Sequence, residues 1–261
     1  MSGRRRRRYV PAEFVLGEHP QSVARPTSAD GPVLWMVDAG RQGERGVRLA
    51  PAVLDAAELR RAAAFRRRAD HRSYAVAHVA LRLLLGACLG VAPHRVRLVR
   101  DPCPRCGGPH GRPAAEDDRG VHFSLSHSDD LVLLAFAAVP VGVDVQKGPG
   151  YEAVADARSA LHPAEVRELA ALPEGERPAA FARAWVRKEA YLKGIGTGLA
   201  RSPSLDYVGT GPDPADGPPD WRVHDVVVPE DFTAAVAVRS RAARRGSSVT
   251  IRHSSPTRRR P

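Results

Sequence analysis

Cysteine is scarce in this chain of 261 residues, which contains only Cys88, Cys103 and Cys106. Three cysteines are too few for the disulfide framework of a small secreted domain, and an odd number leaves one of them unpaired. Long apolar runs are also missing: none reaches the roughly 20 residues that cross a bilayer, and no apolar stretch of the signal-peptide kind follows the N-terminal arginines. We therefore expect a soluble, cytoplasmic protein with no membrane contact, and we expect it to be a monomer.

Acidic residues are absent from both ends of the sequence, although the whole chain carries 29 of them. Residues 1–10 contain five arginines and residues 241–261 contain seven, which together account for the net charge of +11 and leave the rest of the chain nearly neutral. No aromatic residue stands within the arginine runs, as it often does in segments that stack on nucleic-acid bases. We therefore expect two disordered basic tails, residues 1–10 and 241–261, and no specific nucleic-acid partner.

Hydrophobic periodicity predicts a mixture of helices and strands between these tails. Helices are predicted over residues 55–65, 68–89, 163–172 and 178–193. Strands are predicted over residues 33–38, 96–99, 121–125, 131–145, 221–228 and 232–239. The Gly and Arg residues that follow Asp38 favour a loop there. Because the order of elements recurs in the second half, the sequence predicts an α+β fold with two halves, residues 11–139 and 140–240.

Polar and charged residues stand inside otherwise apolar elements in four places, and such placements need a physical reason. The segments are Asp70-His71-Arg72, Ser124-Leu-Ser126-His127, Gly142-Val-Asp144-Val-Gln146 and Trp185-Val-Arg-Lys188-Glu189-Ala-Tyr-Leu-Lys193. Taken alone, each has a purely structural interpretation: a turn at Asp144, an ion pair on a helix surface between Glu189 and Lys193, or a satisfied histidine at the end of a strand.

Taken together, the segments favour chemistry on a polyanion. Asp144 and Glu189 belong to different elements and can share a hard cation through oxygen ligands. The hydroxyl, imidazole and ammonium groups nearby can then face the anion that the cation also binds, which is the arrangement needed to break a pyrophosphate. These groups belong to Ser126, His127, Lys188 and Lys193.

The last three of these segments, in this order and with 45 residues from Asp144 to Glu189, resemble the Sfp-type 4'-phosphopantetheinyl transferases. The resemblance covers about residues 55–210, and its most specific part is the string from Trp185 to Lys193. It implies a pseudo-dimeric fold of two similar α+β halves. It also implies an enzyme that transfers the 4'-phosphopantetheine arm of coenzyme A to a serine of an apo acyl or peptidyl carrier protein and releases adenosine 3',5'-bisphosphate.

The resemblance implies Mg²⁺ as the cofactor, with Asp144 and Glu189 as carboxylate ligands. Glu189 is also the expected base for the acceptor serine, directly or through a water. Lys193 is expected to contact phosphate at the leaving group, and His127 to add positive charge beside it. Gln146 stands where many members of the family have a glutamate and offers a neutral carbonyl oxygen, so we expect it to complete a working but weaker metal site.

Further residues are implied to bind coenzyme A through its phosphates or beside its adenine. Arg72 matches the family's helical arginine at the 3'-phosphate, and Arg61 matches a second basic residue of the same region less closely. Arg112, in Gly111-Arg112-Pro113, replaces the lysine of a Gly-Lys-Pro segment near the adenine and keeps its charge but not its geometry. The expected pyrophosphate contacts are Ser126, His127, Lys188 and Lys193.

The segment from Cys103 to His110 has the residue types of a zinc knuckle, because Cys103 and Cys106 are three apart and a histidine follows. A structural zinc site normally has four ligands, and Cys88 or His94 could supply the fourth only if the fold brought it near. A reduced loop without zinc is the alternative.

Two other functions remain open from the sequence. A basic nucleic-acid-binding protein would explain the arginine tails, and would show salt-sensitive binding to DNA or RNA. A coenzyme A-binding protein without transferase activity would explain Gln146 in place of a glutamate.

Overall fold

The computed structural model describes residues 8–18, 23–27, 31–148 and 160–240, and these residues form five α-helices and nine β-strands. The helices are α1 (Ala39–Val53), α2 (Ala56–Ala63), α3 (Arg68–Leu89), α4 (Pro163–Ala171) and α5 (Arg177–Ile195). The strands are β1 (Ala12–Glu13), β2 (Val33–Asp38), β3 (Leu98–Arg100), β4 (Pro113–Ala115), β5 (His122–Ser128), β6 (Leu131–Ala137), β7 (Val141–Lys147), β8 (Trp221–Val226) and β9 (Phe232–Arg239). The α+β class expected from the sequence is confirmed.

The two larger sheets share one topology. The first has the strand order β1-β2-β6-β5 and the second has the order β7-β9-β8. In the first sheet β2 pairs antiparallel with β6, and β6 pairs antiparallel with β5. In the second sheet β7 pairs antiparallel with β9, and β9 pairs antiparallel with β8. Each half therefore follows the path strand, helices, hairpin. The chain passes from the first sheet to the second between Ala137 and Val141, where the proposed boundary at residue 140 lies.

The sheets meet along β5 and β7 through serine side chains. Ser124 Oγ accepts a hydrogen bond from Val143 N at 3.1 Å, and Ser126 Oγ accepts one from Val145 N at 3.3 Å. Ser128 Oγ accepts a third from Lys147 N at 3.0 Å. The N–H groups of Val143 and Val145 are buried and need partners. Three hydroxyls at alternate positions of β5 replace the neighbouring strand that β7 lacks on this edge.

Helix α3 forms much of the core of the first half. It is the one helix within the described residues that is long and apolar enough to span a membrane by length and composition, with a mean hydropathy of 1.2. However, 72% of that apolar window is buried inside the protein, where it packs with α1 and the first sheet. Burial of this kind is typical of a core helix in a folded domain.

The prediction of a loop after Asp38 is wrong, because α1 occupies residues 39–53. The Asp38 side chain caps this helix by accepting a hydrogen bond from Arg41 N at 2.9 Å. A Cβ on Gly46 would lie 2.6 Å from Val76 Cγ2 of α3, so the glycine allows the two helices to pack closely. The Gly content that suggested a loop therefore serves helix packing.

The proposed N-terminal tail is also too long by at least one residue. Tyr9 N donates to Asp225 O at 3.2 Å, and Val227 N donates to Tyr9 O at 2.8 Å, so this residue adds to the edge of β8. Apolar and aromatic character at Tyr9 and Val10 separates them from the arginine run. The remaining tail predictions, for residues 1–7 and 241–261, lie outside the described residues.

Candidate functional site

Three elements bring their polar side chains together at the seam between the sheets. Asp144, in β7, is 1% exposed. Its Oδ1 accepts a hydrogen bond from Ser126 Oγ of β5 at 2.7 Å and a charge-assisted one from Lys193 Nζ of α5 at 2.6 Å. Lys193 Nζ also donates to Ser126 Oγ at 2.9 Å. The structure thus joins one residue from each of three segments that the sequence singles out.

Two glycines allow α5 to lie directly on β7. A Cβ on Gly142 would be 2.0 Å from Ala190 O, and a Cβ on Gly194 would be 2.5 Å from the Trp221 ring. A larger side chain at Gly142 would require the backbone to move, and one at Gly194 would require the Trp221 ring to shift. This close approach brings Lys193, next to Gly194, within hydrogen-bond distance of Asp144. Gly142 belongs to a segment that the sequence singles out, whereas Gly194 does not.

Glu189 lies one helical turn before Lys193 on α5 and is half-buried. Burial raises the pKa of its carboxyl group, the negative charge of Asp144 raises it further, and Lys193 opposes both effects. No group in the described part of the chain donates a hydrogen bond to this carboxylate. Two neighbouring carboxylates, one of which lacks a donor, are suited to binding a hard cation.

Gln146 stands two residues after Asp144 in β7, on the same face of the strand. Its Nε2 donates to Asp144 Oδ2 at 3.3 Å, so its amide group is adjacent to the carboxylate. Rotation of the amide would direct the carbonyl oxygen to the same place. The donor set of Asp144, Glu189 and Gln146 consists only of oxygen ligands and fits Mg²⁺.

His127 follows Ser126 in β5 but belongs to the opposite face of the strand and is exposed. Although one side of the ring meets solvent, the protein around it disfavours the charged form and lowers the pKa of the imidazole. The charges of His78 and Lys193 lower the pKa further, and Asp70 raises it. His127 therefore lies near α3 as well as near Lys193.

A cleft of about 710 Å³ opens beside this cluster. Residues of α2, α3, the β3–β4 hairpin, β5 and the end of α5 line it, and Lys193 is the member of the cluster that reaches its wall. Arg112 lines the cleft from the hairpin. Its Nε donates to Asp101 Oδ2 at 2.8 Å, and its Nη1 donates to Gly194 O at 3.4 Å. A cleft of this size can hold most of a large cofactor-like molecule.

Comparison with known proteins identifies the family to which these residues belong. A family model of the 4'-phosphopantetheinyl transferase superfamily matches residues 140–225, which include Asp144, Glu189 and Lys193. The 4'-phosphopantetheinyl transferase HetI of Nostoc sp. (strain PCC 7120) is 31% identical over 212 residues, 78% of this chain and 86% of that protein. The chain belongs to the 4'-phosphopantetheinyl transferase family.

Shorter matches cover the region that carries the motifs. The 4'-phosphopantetheinyl transferase Sfp of Bacillus subtilis (strain 168) is 31% identical over 91 residues, 35% of this chain and 40% of Sfp. The transferase gsp of Aneurinibacillus migulanus is 31% identical over 90 residues, 34% of this chain and 37% of gsp. The resemblance to Sfp-type enzymes is confirmed, and with it the class of enzyme, a transferase that uses coenzyme A.

In this phosphopantetheinyl transferase the expectation that Lys188 faces the phosphates is wrong. Its side chain is 1% exposed, and Nζ lies 2.7 Å from Glu165 Oε2. Nζ also donates to Pro203 O at 2.9 Å and to Asp206 O. Burial lowers the pKa of this ammonium group, and the charge of Glu165 opposes the change. Because successive helical residues are about 100° apart, Lys188 points away from the face of Glu189.

The structure does not bring the two helical arginines into the cleft either. Arg72 forms an ion pair with Glu44 of α1, with 40% of its side chain exposed. The Arg61 guanidinium stacks over the Phe65 ring, 5.5 Å from its centroid. Both side chains find partners on the surface of the helical layer, and neither is among the residues that line the cleft. The predicted 3'-phosphate contact of Arg72 is therefore not supported by its position.

A buried ionic network on the cleft wall was missed by the sequence analysis. Arg82, in the middle of α3 and 0% exposed, lies 2.6 Å from carboxylate oxygens of both Glu58 and Asp55. Burial alone raises the pKa of Glu58, but hydrogen bonds from His78 and the Asp55 backbone, with the charge of Arg82, lower it overall. An arginine among the apolar residues of α3 was the available signal.

The two cysteines and the histidine of the candidate zinc knuckle do meet. Ligand atoms of Cys103, Cys106 and His110 lie within 4.8 Å of one another at the tip of the β3–β4 hairpin. The backbone N–H groups of Arg105 and Cys106 lower the pKa of the Cys103 thiol. Neither suggested fourth ligand, Cys88 or His94, belongs to the group found among the described residues.

Proposed function

We propose that this phosphopantetheinyl transferase uses the cluster at the seam to move the 4'-phosphopantetheine arm of coenzyme A onto a serine of an acyl or peptidyl carrier protein. The observation that carries the assignment is the meeting of Asp144 with Lys193 beside Glu189, where Lys193 also reaches the wall of a cleft of about 710 Å³. Carboxylates and a cation gathered there suit the transfer of a phosphoryl group from a pyrophosphate.

Asp144, Glu189 and Gln146 are the residues that would hold Mg²⁺. Asp144 is buried and fixed by Ser126, so it presents its second oxygen in a defined direction. The pKa of the Glu189 carboxyl group is raised by burial and by Asp144 although Lys193 is near, so a bound cation would favour the charged form of Glu189. When bound, Mg²⁺ supplies positive charge to the pyrophosphate oxygens and reduces the repulsion between the two carboxylates. Coenzyme A would complete the site, because Mg²⁺ commonly keeps substrate phosphates and waters as ligands.

The chain's own residues account for the remaining steps. Glu189 accepts the proton of the acceptor serine, directly or through a water, as the serine oxygen forms its bond to the β-phosphorus. The bond from that phosphorus to the bridging oxygen breaks, and adenosine 3',5'-bisphosphate leaves with the electron pair. Lys193 stabilises the charge that develops on the leaving group. His127 and Arg112 bind other phosphate oxygens as hydrogen-bond donors.

The experiment follows transfer of labelled phosphopantetheine to a panel of apo carrier proteins at several Mg²⁺ concentrations. Glu189→Gln keeps the shape of the side chain and removes its charge and basicity, so we expect the rate to fall by about 10² to 10⁴-fold. Glu176→Gln is the matched control, since Glu176 is exposed and lies 13 residues earlier, next to the start of α5. Circular dichroism checks that both variants are folded.

The same assay decides between the alternatives. Near-parental transfer by folded Glu189→Gln would contradict the assigned base. Coenzyme A binding without transfer to any carrier would support the binding-only protein. Nucleic-acid binding that is sensitive to salt and persists after removal of residues 1–7 and 241–261 would support the alternative of a nucleic-acid-binding protein.

We propose further that the enzyme acts as a cytoplasmic monomer. Three free cysteines suit a reducing compartment. Light scattering coupled to gel filtration tests the monomer: a mass of 28.1 kDa supports it, and twice that mass contradicts it.

A further inference from the structure

The tip of the β3–β4 hairpin is a loop that the described contacts hold closed. Asp101 N donates to Arg112 O, and Gly111 N donates to Asp101 O, both at 3.0 Å, so the ladder of the hairpin continues beyond its strands. A Cβ on Gly111 would lie 2.2 Å from Asp101 O, which leaves room only for glycine. The residues between these two ends, 102–110, therefore form a compact unit of their own.

Within this unit the backbone turns sharply after Cys103. Gly107 N donates to Cys103 O and Cys103 N donates to Gly108 O, each at 2.8 Å. Gly107 has a φ of +71°, a conformation that glycine adopts without steric cost. The turn places the two sulfur atoms on the same side of the loop. His110 then brings its Nε2 to within 3.0 Å of Cys106 Sγ.

Two thiols and one imidazole around a common point form a ligand set for a soft or borderline divalent cation. In a tetrahedral zinc site the bonds are about 2.0–2.3 Å long, so neighbouring ligand atoms lie about 3.3–3.8 Å apart. The three atoms here lie within 4.8 Å of one another, so small movements of side chains would place them around a single ion. Thiolates and imidazole favour zinc over magnesium or calcium, which prefer oxygen ligands.

We propose that Cys103, Cys106 and His110 bind one Zn²⁺, with water as the fourth ligand. Cys106 and His110 are exposed, so an ion can enter from solvent, while Cys103 is buried beneath them. Cys88 has a different environment, because burial in the core beside α3 raises the pKa of its thiol to about 11. It is the thiol in this chain that the proposal leaves without metal.

The loop connects the two halves of the enzyme at the cleft. Arg105 donates a hydrogen bond to Ala200 O, just beyond α5, and Arg112 donates to Gly194 O at the end of α5. His110, Gly111, Arg112 and Pro113 all line the cleft. Zinc would therefore fix the segment that carries Arg112 relative to the helix that carries Glu189 and Lys193. This positioning role rests on the proposed function, whereas binding of the ion does not.

The primary experiment measures metal in the untagged full-length chain without any substrate. The protein is kept reduced, loaded with Zn²⁺, passed over a desalting column and analysed by mass spectrometry for metal content. The parent and Cys88→Ala are expected to hold about one Zn²⁺ per chain, and Cys106→Ser and His110→Ala almost none. Replacement by Co²⁺ should give the thiolate-to-cobalt charge-transfer band in the parent and lose it in Cys106→Ser.

These variants keep the test decisive, since both altered side chains are exposed and neither removes core packing. The proposal is overturned if the reduced parent retains no Zn²⁺, or if Cys106→Ser retains as much as the parent.

The positioning role has a separate readout. Coenzyme A binding is measured by calorimetry for the zinc-loaded parent and for the same protein after chelation, with Arg112→Ala beside them. Removal of zinc is expected to weaken binding by about tenfold, the loss of one well-placed phosphate contact. Equal affinities with and without zinc would overturn the positioning role. Failure of both forms to bind coenzyme A would instead contradict the proposed function.

Discussion

Replacing Lys188 with alanine would leave Glu165 as a buried carboxylate without its counter-ion. The two side chains are 1% and 0% exposed, and Lys188 Nζ is 2.7 Å from Glu165 Oε2. Removing one partner of a buried ion pair costs about 3–5 kcal/mol of the free energy of unfolding. Glu165 keeps hydrogen bonds from the backbone of His162, Val208 and Gly209, so we expect the lower end of that range, about 3 kcal/mol. For a chain of this size that lowers Tm by about 6–12 °C.

Thermal unfolding and transfer rate, measured on the same preparations, separate the two possible roles of this lysine. Lys188→Ala should lower Tm but retain near-parental kcat at temperatures where it is folded. Lys193→Ala should lose most of its kcat even at temperatures where it is folded, because Lys193 contacts Asp144 in the proposed active site. It also removes the counter-ion of the buried Asp144, so its Tm should fall as well, and kcat is the quantity that separates the two lysines. The double variant Lys188→Met with Glu165→Gln replaces the ion pair with neutral groups and should recover part of the lost stability. An unchanged Tm in Lys188→Ala together with a large loss of kcat would refute the structural role of Lys188 and would support the contact with phosphate that the sequence predicts.

Three other perturbations test separate parts of the structure. The pKa of Glu58 is lowered below 4.5, because hydrogen bonds and nearby positive charge outweigh the effect of burial. The charged Glu58 therefore contributes fully to the free energy of unfolding above pH 4.5, and this contribution is lost as the pH falls through the lowered pKa. Urea unfolding at several acidic pH values should therefore show a shallower loss of stability for Glu58→Gln than for the parent, and equal slopes would contradict this. Gln146→Glu should lower the Mg²⁺ concentration for half-maximal transfer, because it adds a carboxylate beside Asp144; an unchanged Mg²⁺ dependence would remove Gln146 from the site. Gly142→Ala should displace α5 from β7 and reduce both stability and rate, since its Cβ would lie 2.0 Å from a backbone oxygen, whereas Gly175→Ala, which has open space around it, serves as the control in the same assays.

The sequence predicted the elements whose apolar pattern was strong. The helices expected over residues 55–65 and 68–89 correspond to α2 and α3, and in the structure the Asp55 side chain caps the first of them. The prediction failed at α1, because the local propensity of Gly43 and Gly46 favours a loop. Gly46 is required by the close approach of helix α3, and a side chain at Gly43 would press on Arg72 of the same helix. Local propensity carries no information about which surfaces will touch.

The same distinction explains the outcome at the site. Asp144, Glu189 and Lys193 could be selected from the sequence because a resemblance supplied their roles and because charges inside apolar elements need partners. Lys188 stands next to Glu189 in the same motif, and its partner Glu165 lies 23 positions earlier in the sequence on another helix. Adjacent residues of a helix face different surroundings, so membership of a motif did not determine contact with the substrate.

The serines of β5 show how the joining of the halves and the chemistry of the site depend on one register. Side chains at alternate positions of this strand, Ser124, Ser126 and Ser128, bind the N–H groups of β7, while Phe123 points into the core of the first half. A shift of β5 by one residue would turn every side chain to the other face. The hydroxyls would leave the edge of β7, an aromatic ring would meet the amide of Val143, and Asp144 would lose the Ser126 hydrogen bond that orients it. The association of the two sheets and the orientation of the proposed metal ligand therefore depend on the same register of β5. The alternating serines serve both at once: they join β5 to β7, and one of them orients Asp144.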